Sequence, residues 1–288
     1  MSYTRRNFLR NTALAGTGLL LSGSDLFAAS GPKPIKNFGL QLYSLRDEMP
    51  KNPQGVLKQV AAFGYKQIES YGGPQGIFWG MTNTDFKKFM DDLGMTIVSS
   101  HCNWQKDFES LAAQAGEIGM KYLACPYLGA QKTIEEYKQW AKKFNAAGEI
   151  CRKNGLRFAY HNHAYSFKTL EGQLPQDVMI AETDPALVDF EMDMYWVADA
   201  GFNIDDYLKK HKGRFRLCHI KDRMKNADPA ADNNSCTLGE GTIDFAKHLK
   251  TGQETGIKYF IVEQERYDNT TQMKSAEDNA AYMKKLKV

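Results

Sequence analysis

From Phe38 to the C-terminus, short apolar runs alternate with longer segments whose apolar residues recur at helical spacing. The runs cover residues 38–43, 67–70, 96–100, 122–126, 157–162, 187–194, 215–220 and 259–263. Short runs separated by helical segments predict buried parallel strands joined by helices. Eight such units in succession predict closure into a (β/α)8 TIM barrel. A doubly wound open sheet would carry a Gly-rich phosphate turn after an early strand. None is there, and Gly239-Glu240-Gly241 comes late and after a loop. Gly64, Gly94 and Gly155 each stand between a helical segment and the next strand, where a helix C-terminus favours glycine. Thr84-Asp85 and Thr133-Ile134-Glu135-Glu136 supply the capping oxygens and acids of helix N-termini.

Residues 1–30 read as an address rather than as fold. Thr4-Arg5-Arg6-Asn7-Phe8-Leu9-Arg10 has the form of a twin-arginine export signal, followed by a weakly apolar stretch over residues 12–21 and small residues Ala28, Ala29 and Ser30. That stretch is shorter than the roughly 20 apolar residues a spanning helix needs. The expected organisation is a signal peptide over 1–30, a linker over 31–37 and one barrel domain over 38–288, exported to the periplasm by the twin-arginine machinery. No stable membrane span is expected after signal cleavage, and association into a homo-oligomer is left open. The barrel segment is close to the ~250 residues typical of the fold.

Net charge is +3 for the whole chain and falls to +1 without Arg5, Arg6, Arg10 and Asp25. A near-neutral protein lacks the electrostatic footprint of a nucleic-acid binder. The five cysteines show no metal-ligand spacing, and buried free thiols are expected.

In a barrel of this kind chemistry lies where strands end and βα loops begin. Strand ends carry Glu69, His101, His161-Asn162-His163, Asp193, His219-Ile220-Lys221-Asp222 and Glu263-Gln264-Glu265, which places four of the six histidines there. His161, Asp193, His219 and Glu263, from four successive strands, are the expected ligands of one divalent metal ion. A mixed imidazole and carboxylate set suits Mn, Zn, Fe or Co better than Mg. Period-two alternation puts Glu191 on the face of Asp193 and Glu265 on that of Glu263. Glu263, Glu265 and His163 are candidate bases, with Lys221 as candidate acid or oxyanion partner. Glu69, His101, Trp104, Trp196 and Arg223 are candidate substrate contacts. Tyr71, Phe78 and Trp79 form either a lid over a sugar ring or the anchor of their own loop.

Several motifs together resemble the xylose-isomerase-like TIM-barrel superfamily. They are Phe38-Gly39-Leu40-Gln41-Leu42-Tyr43-Ser44-Leu45-Arg46, Gly64-Tyr65-Lys66-Gln67-Ile68-Glu69, Tyr160-His161-Asn162-His163, Met192-Asp193-Met194-Tyr195-Trp196, His219-Ile220-Lys221-Asp222, Gly239-Glu240-Gly241-Thr242-Ile243-Asp244 and Ile261-Val262-Glu263-Gln264. The resemblance implies one divalent metal held by Glu, Asp, His and Glu at the ends of strands five to eight, with two glutamates shuttling a proton beside a carbonyl. Asp193, His219 and Glu263 match that pattern, whereas His161 stands in place of the first glutamate and Trp196 in place of a frequent histidine.

The implied activity is metal-dependent isomerisation or epimerisation of a non-phosphorylated sugar or keto sugar through an enediolate. A lyase or hydratase acting on 3-keto-glycosides or related oxidised sugars is the alternative. A non-catalytic periplasmic sugar binder and a metal-dependent hydrolase are the readings from other classes. The resemblance also extends to abasic-site endonucleases, which near-neutral charge and export disfavour.

Overall fold

Eight parallel strands close into a barrel: β1 (Gly39–Gln41), β2 (Gln67–Tyr71), β3 (Thr96–His101), β4 (Tyr122–Cys125), β5 (Arg157–His161), β6 (Val188–Asp193), β7 (Phe215–Ile220) and β8 (Tyr259–Val262), with β8 paired to β1. The computed structural model describes residues 31–288. The export signal expected over 1–30 lies outside the described residues. Within 34–37, Pro34 bridges to Lys287 and Ile35 is buried in the core. Among the described residues no helix is long and apolar enough to cross a membrane.

The helices are α1 (Pro53–Phe63), α2 (Asn83–Asp92), α3 (Phe108–Glu117), α4 (Ile134–Lys153), α5 (Pro175–Glu182), α6 (Met194–Asp199), α7 (Ile204–Lys210), α8 (Phe245–Thr255) and α9 (Gln272–Lys285). Helix α4 starts on a reciprocal cap: Thr133 Oγ1 accepts from Glu136 N at 3.2 Å, and Glu136 Oε2 accepts from Thr133 N at 3.2 Å. Helix α2 corrects the expected start. Its cap is Thr82, accepting from Asp85 N at 3.1 Å, so Thr84-Asp85 sits inside the first turn. Gly64 ends α1 at φ 101°, a left-handed conformation that glycine reaches without Cβ strain.

Strand ends follow side-chain chemistry. The first run stops at Gln41 because its Oε1 accepts from Tyr43 N at 3.0 Å, turning residues Leu42–Leu45 into a 3-10 segment. The sixth stops at Asp193, which caps α6. Between barrel and helices lies the main apolar core. A smaller cluster of Tyr122, Ala124, Ala159, Leu217 and Ile261 packs separately from it. All five cysteines are buried free thiols.

Candidate metal centre and cleft

Alternation selects which side chains share a face of each strand: His161 on β5, Glu191 and Asp193 on β6, His219 on β7, with Lys221 and Glu263 continuing the same parity past β7 and β8. Register then sets their heights. His161 pairs with Glu191, and a shift between Phe190 and Glu191 brings Asp193 beside His219. His161, Asp193, His219 and Glu263 thereby present one donor atom each within 4.8 Å of one another, and all four are buried.

The four donor atoms crowd around one point. His161 Nε2 and His219 Nδ1 lie 3.1 Å apart, with Glu263 Oε2 3.1 Å from the latter and Asp193 Oδ2 3.4 Å from the former. Each imidazole has an acceptor on its other nitrogen. His161 Nδ1 is 3.2 Å from Pro126 O, and His219 Nε2 is 2.6 Å from Glu69 Oε2. A proton on each outer nitrogen alone is the tautomer that would turn both inner lone pairs toward one point, as a metal requires. Asp193 divides its oxygens. Oδ1 accepts from Trp196 N at 3.2 Å to cap α6, and buried Oδ2 has no hydrogen-bond partner. The residues therefore fit a divalent cation, and the nitrogen and oxygen set suits Zn, Mn, Fe or Co.

Glu69 is the orienting group. It is fully buried and also accepts from Gln41 Nε2 at 2.7 Å. Burial works against its ionisation, but His101 and His219 outweigh that and hold its carboxyl down at about 2. In His219 burial favours the neutral ring, yet Glu191 and Glu263 hold the proton well above the ordinary histidine range. Burial likewise opposes ionisation of Glu263, which Lys221 and His219 carry well below the usual carboxylate range. The cation-free cluster thus keeps a proton on His219 that a metal at Nδ1 must displace. Binding is expected to release about one proton per ion, so affinity falls as pH falls. Calorimetric Zn²⁺ titration in buffers of different ionisation enthalpy checks this, and a buffer-independent heat would show that His219 is already neutral.

Lys221 is fully buried with Nζ 3.3 Å from Glu263 Oε2 and 3.6 Å from Asp193 Oδ2, and it bonds Glu265 more closely. It rests 5.1 Å from the Tyr195 ring centre and 5.0 Å from that of Trp196. Burial alone would strip its proton, but Glu265, Glu263 and Asp193 keep the ammonium charged. It stands behind Glu263 and Glu265, which line the cleft while Lys221 does not. His163 differs in kind. Burial first, then His161 and Lys221, push its pKa well below the ordinary value, leaving a neutral imidazole. Its ring lies 5.0 Å from Tyr127, 5.2 Å from Trp196 and 5.7 Å from Tyr165, stacked on the last.

These groups open onto a cleft of about 510 Å³ lined by His101, Trp104, His161, His163, Glu263 and Glu265 among others. Of the expected substrate contacts, His101 and Trp104 are in its wall. Glu69 lies buried beneath His219, Trp196 packs against His163 and Lys221, and Arg223 pairs with Asp199 at 2.8 Å away from the lining. The loop aromatics divide: Tyr71 lines the cleft, whereas buried Trp79 donates to Ser70 Oγ at 3.0 Å and anchors the loop. Tyr43 and Tyr127 also line it, 40% and 62% exposed, and sequence reasoning did not single them out. Both follow strand ends, so the same positional rule finds them once aromatics are read alongside histidines and acids. Gly239-Glu240-Gly241 wraps the chain's own carboxylate: Asp222 accepts from Gly239 N, Gly241 N and Ile243 N at 2.9, 3.0 and 3.1 Å.

A model of the family described as xylose isomerase-like TIM barrel matches residues 57–286. The chain is similar to inosose dehydratase of Bacillus licheniformis, 28% identical over 190 residues, covering 59% of this chain and 61% of that one. It thus spans about three fifths of that relative's length. A solved sugar phosphate isomerase/epimerase from Parabacteroides distasonis superposes with TM-score 0.75 at 31% identity, covering 86% of this chain and 97% of that one. The IolI protein, solved with a bound zinc atom, shares the fold at TM-score 0.68 and 15% identity, over 86% of this chain and 96% of that one.

Proposed function

The chain belongs to the xylose isomerase-like TIM barrel family, and on that premise we propose that it is a divalent-metal-dependent lyase that dehydrates a non-phosphorylated keto sugar. His161, Asp193, His219 and Glu263 would hold the cation, whose chemistry is to act as a Lewis acid toward the substrate's carbonyl oxygen. His163 removes the proton from the carbon beside that carbonyl. The C–H electrons form the carbon–carbon double bond, the β C–O bond breaks, and the departing hydroxide takes the proton His163 has gained, leaving as water. Lys221 touches no substrate in this scheme and acts as a positioning residue for Glu263 and Glu265.

The observation that carries this reading is the position of His163 in the cleft wall, where burial holds its pKa below the ordinary value, while Glu263 and Glu265 are tied to one buried lysine. A symmetric shuttle between two carboxylates lacks its second member, because His161 occupies that place. Among the described residues lining the cleft there is no Arg or Lys, which disfavours a phosphorylated substrate. The name of the Bacillus licheniformis relative supports dehydration. The likeness to the Parabacteroides distasonis structure favours a second reading, in which the enediolate is reprotonated and the product is an isomer or epimer.

Keto sugars incubated with Mn²⁺-loaded protein in deuterated water separate these readings, since elimination yields a dehydrated mass and isomerisation a deuterated isomer. His163→Ala is expected to slow α-proton exchange by about 10²–10⁴-fold, the usual contribution of a general base. Exchange at the wild-type rate would remove His163 from the mechanism. Periplasmic export belongs to the same proposal and rests on Arg5 and Arg6; Arg5→Lys with Arg6→Lys should retain the protein in the cytoplasm on cell fractionation.

A further inference from the structure

Glu69 on β2, His101 at the end of β3, Glu191 on β6 and His219 form a second buried group, again with one donor atom each within 4.8 Å of the others. His101 Nε2 is 2.8 Å from Glu191 Oε2 and 3.4 Å from Glu69 Oε2, and Glu191 Oε1 is 3.5 Å from His219 Nε2. Oε1 of each glutamate is buried without a hydrogen-bond partner, and neither residue is exposed at all.

Charge distinguishes this cluster from a set of ordinary hydrogen bonds. In the upper quartet and its surroundings, Asp193, Glu263 and Glu265 against Lys221 leave two negative charges, which one divalent cation cancels. Below, Glu69 and Glu191 are two buried carboxylates, and buried charges persist only when paired. Among the described residues only His101 and His219 come within ion-pair distance of either carboxylate, and no lysine or arginine does. Two buried carboxylates beside imidazoles, without a fixed cation among them, are the donor set of a divalent ion.

We infer that the lower cluster is a second divalent-cation site, with Glu69, Glu191 and His101 Nε2 as its ligands and His219 as the partition between the two ions. The donor set is one imidazole and two carboxylates, suited to Zn²⁺ or Mn²⁺. His101 lines the cleft and its side chain is 9% exposed, which gives an ion its route from solvent. His219 belongs to both groups, so this site rests on the proposed function of the upper quartet, and the two are tested separately.

The whole chain, dialysed exhaustively and titrated with Zn²⁺, is expected to bind two ions. Glu191→Gln, close to isosteric, should keep one and weaken the other by about 100-fold or more, beyond the loss usual for an outer-shell change. His101→Gln should do the same, which guards against a folding failure in either variant, and melting curves identify one. Electron paramagnetic resonance of the Mn²⁺-loaded wild type should show dipolar broadening that both variants remove. One ion in the wild type, lost in Asp193→Asn and retained in Glu191→Gln, would overturn the lower site and spare the upper. No ion in the wild type would sink both.

Discussion

Asp193→Asn is expected to remove the upper cation and turnover together while leaving the fold in place. The argument turns on how Asp193 uses its two oxygens. Oδ1 caps α6 through Trp196 N, and asparagine is as good a cap as aspartate, so the helix start survives. Oδ2 is the buried oxygen without a partner, and the substitution can replace it with an amide that offers no lone pair. Outer-shell changes at metal sites cost about 10–100-fold in affinity or activity, so loss of a ligand should exceed about 100-fold. Metal content after dialysis and α-proton exchange in deuterated water should fall in parallel, with the metal-free melting curve little changed. Wild-type affinity in this variant would place the ion elsewhere.

Lys221→Met should have the largest effect on stability. The substitution keeps an apolar stem beneath Tyr195 and Trp196 but removes the cation among Asp193, Glu263 and Glu265. Removing one partner of a buried ion pair typically costs about 3–5 kcal/mol, because the remaining charge is stranded. Denaturant unfolding of the metal-free protein should show a loss of that size. Saturating Zn²⁺ should recover part of it, since the added cation faces Asp193 and Glu263. An unchanged midpoint in the metal-free state would mean that the carboxylates take up protons instead, and Lys221 would lose its assigned role.

Much of this architecture was legible from residues alone. Short apolar runs at barrel spacing marked all eight strands to within one or two residues at most ends. Reading polar residues at strand ends found His161, Asp193, His219 and Glu263, which the structure gathers at one point. The reason is geometric: parallel strands with period-two alternation must deliver their last same-face residues to one end of a closed barrel. Local chemistry was less certain where two residues could serve, as with Thr82 rather than Thr84 at the start of α2.

What the chain order could not supply were contacts between residues far apart in it. Glu69 reaches His219 across 150 positions. His101 reaches Glu191 only through the curvature of the closed sheet. The register shift at Phe190/Glu191 sets Asp193 level with His219. Whether a charged side chain faces solvent, substrate or a buried partner was also undecided: Lys221 and Arg223 stand two residues apart, yet one is sealed among carboxylates and the other is paired with Asp199. Alternation and strand-end position are properties of a single strand and can be read along it. Register, burial and the balance of charge belong to the closed barrel, and only its folding decides them.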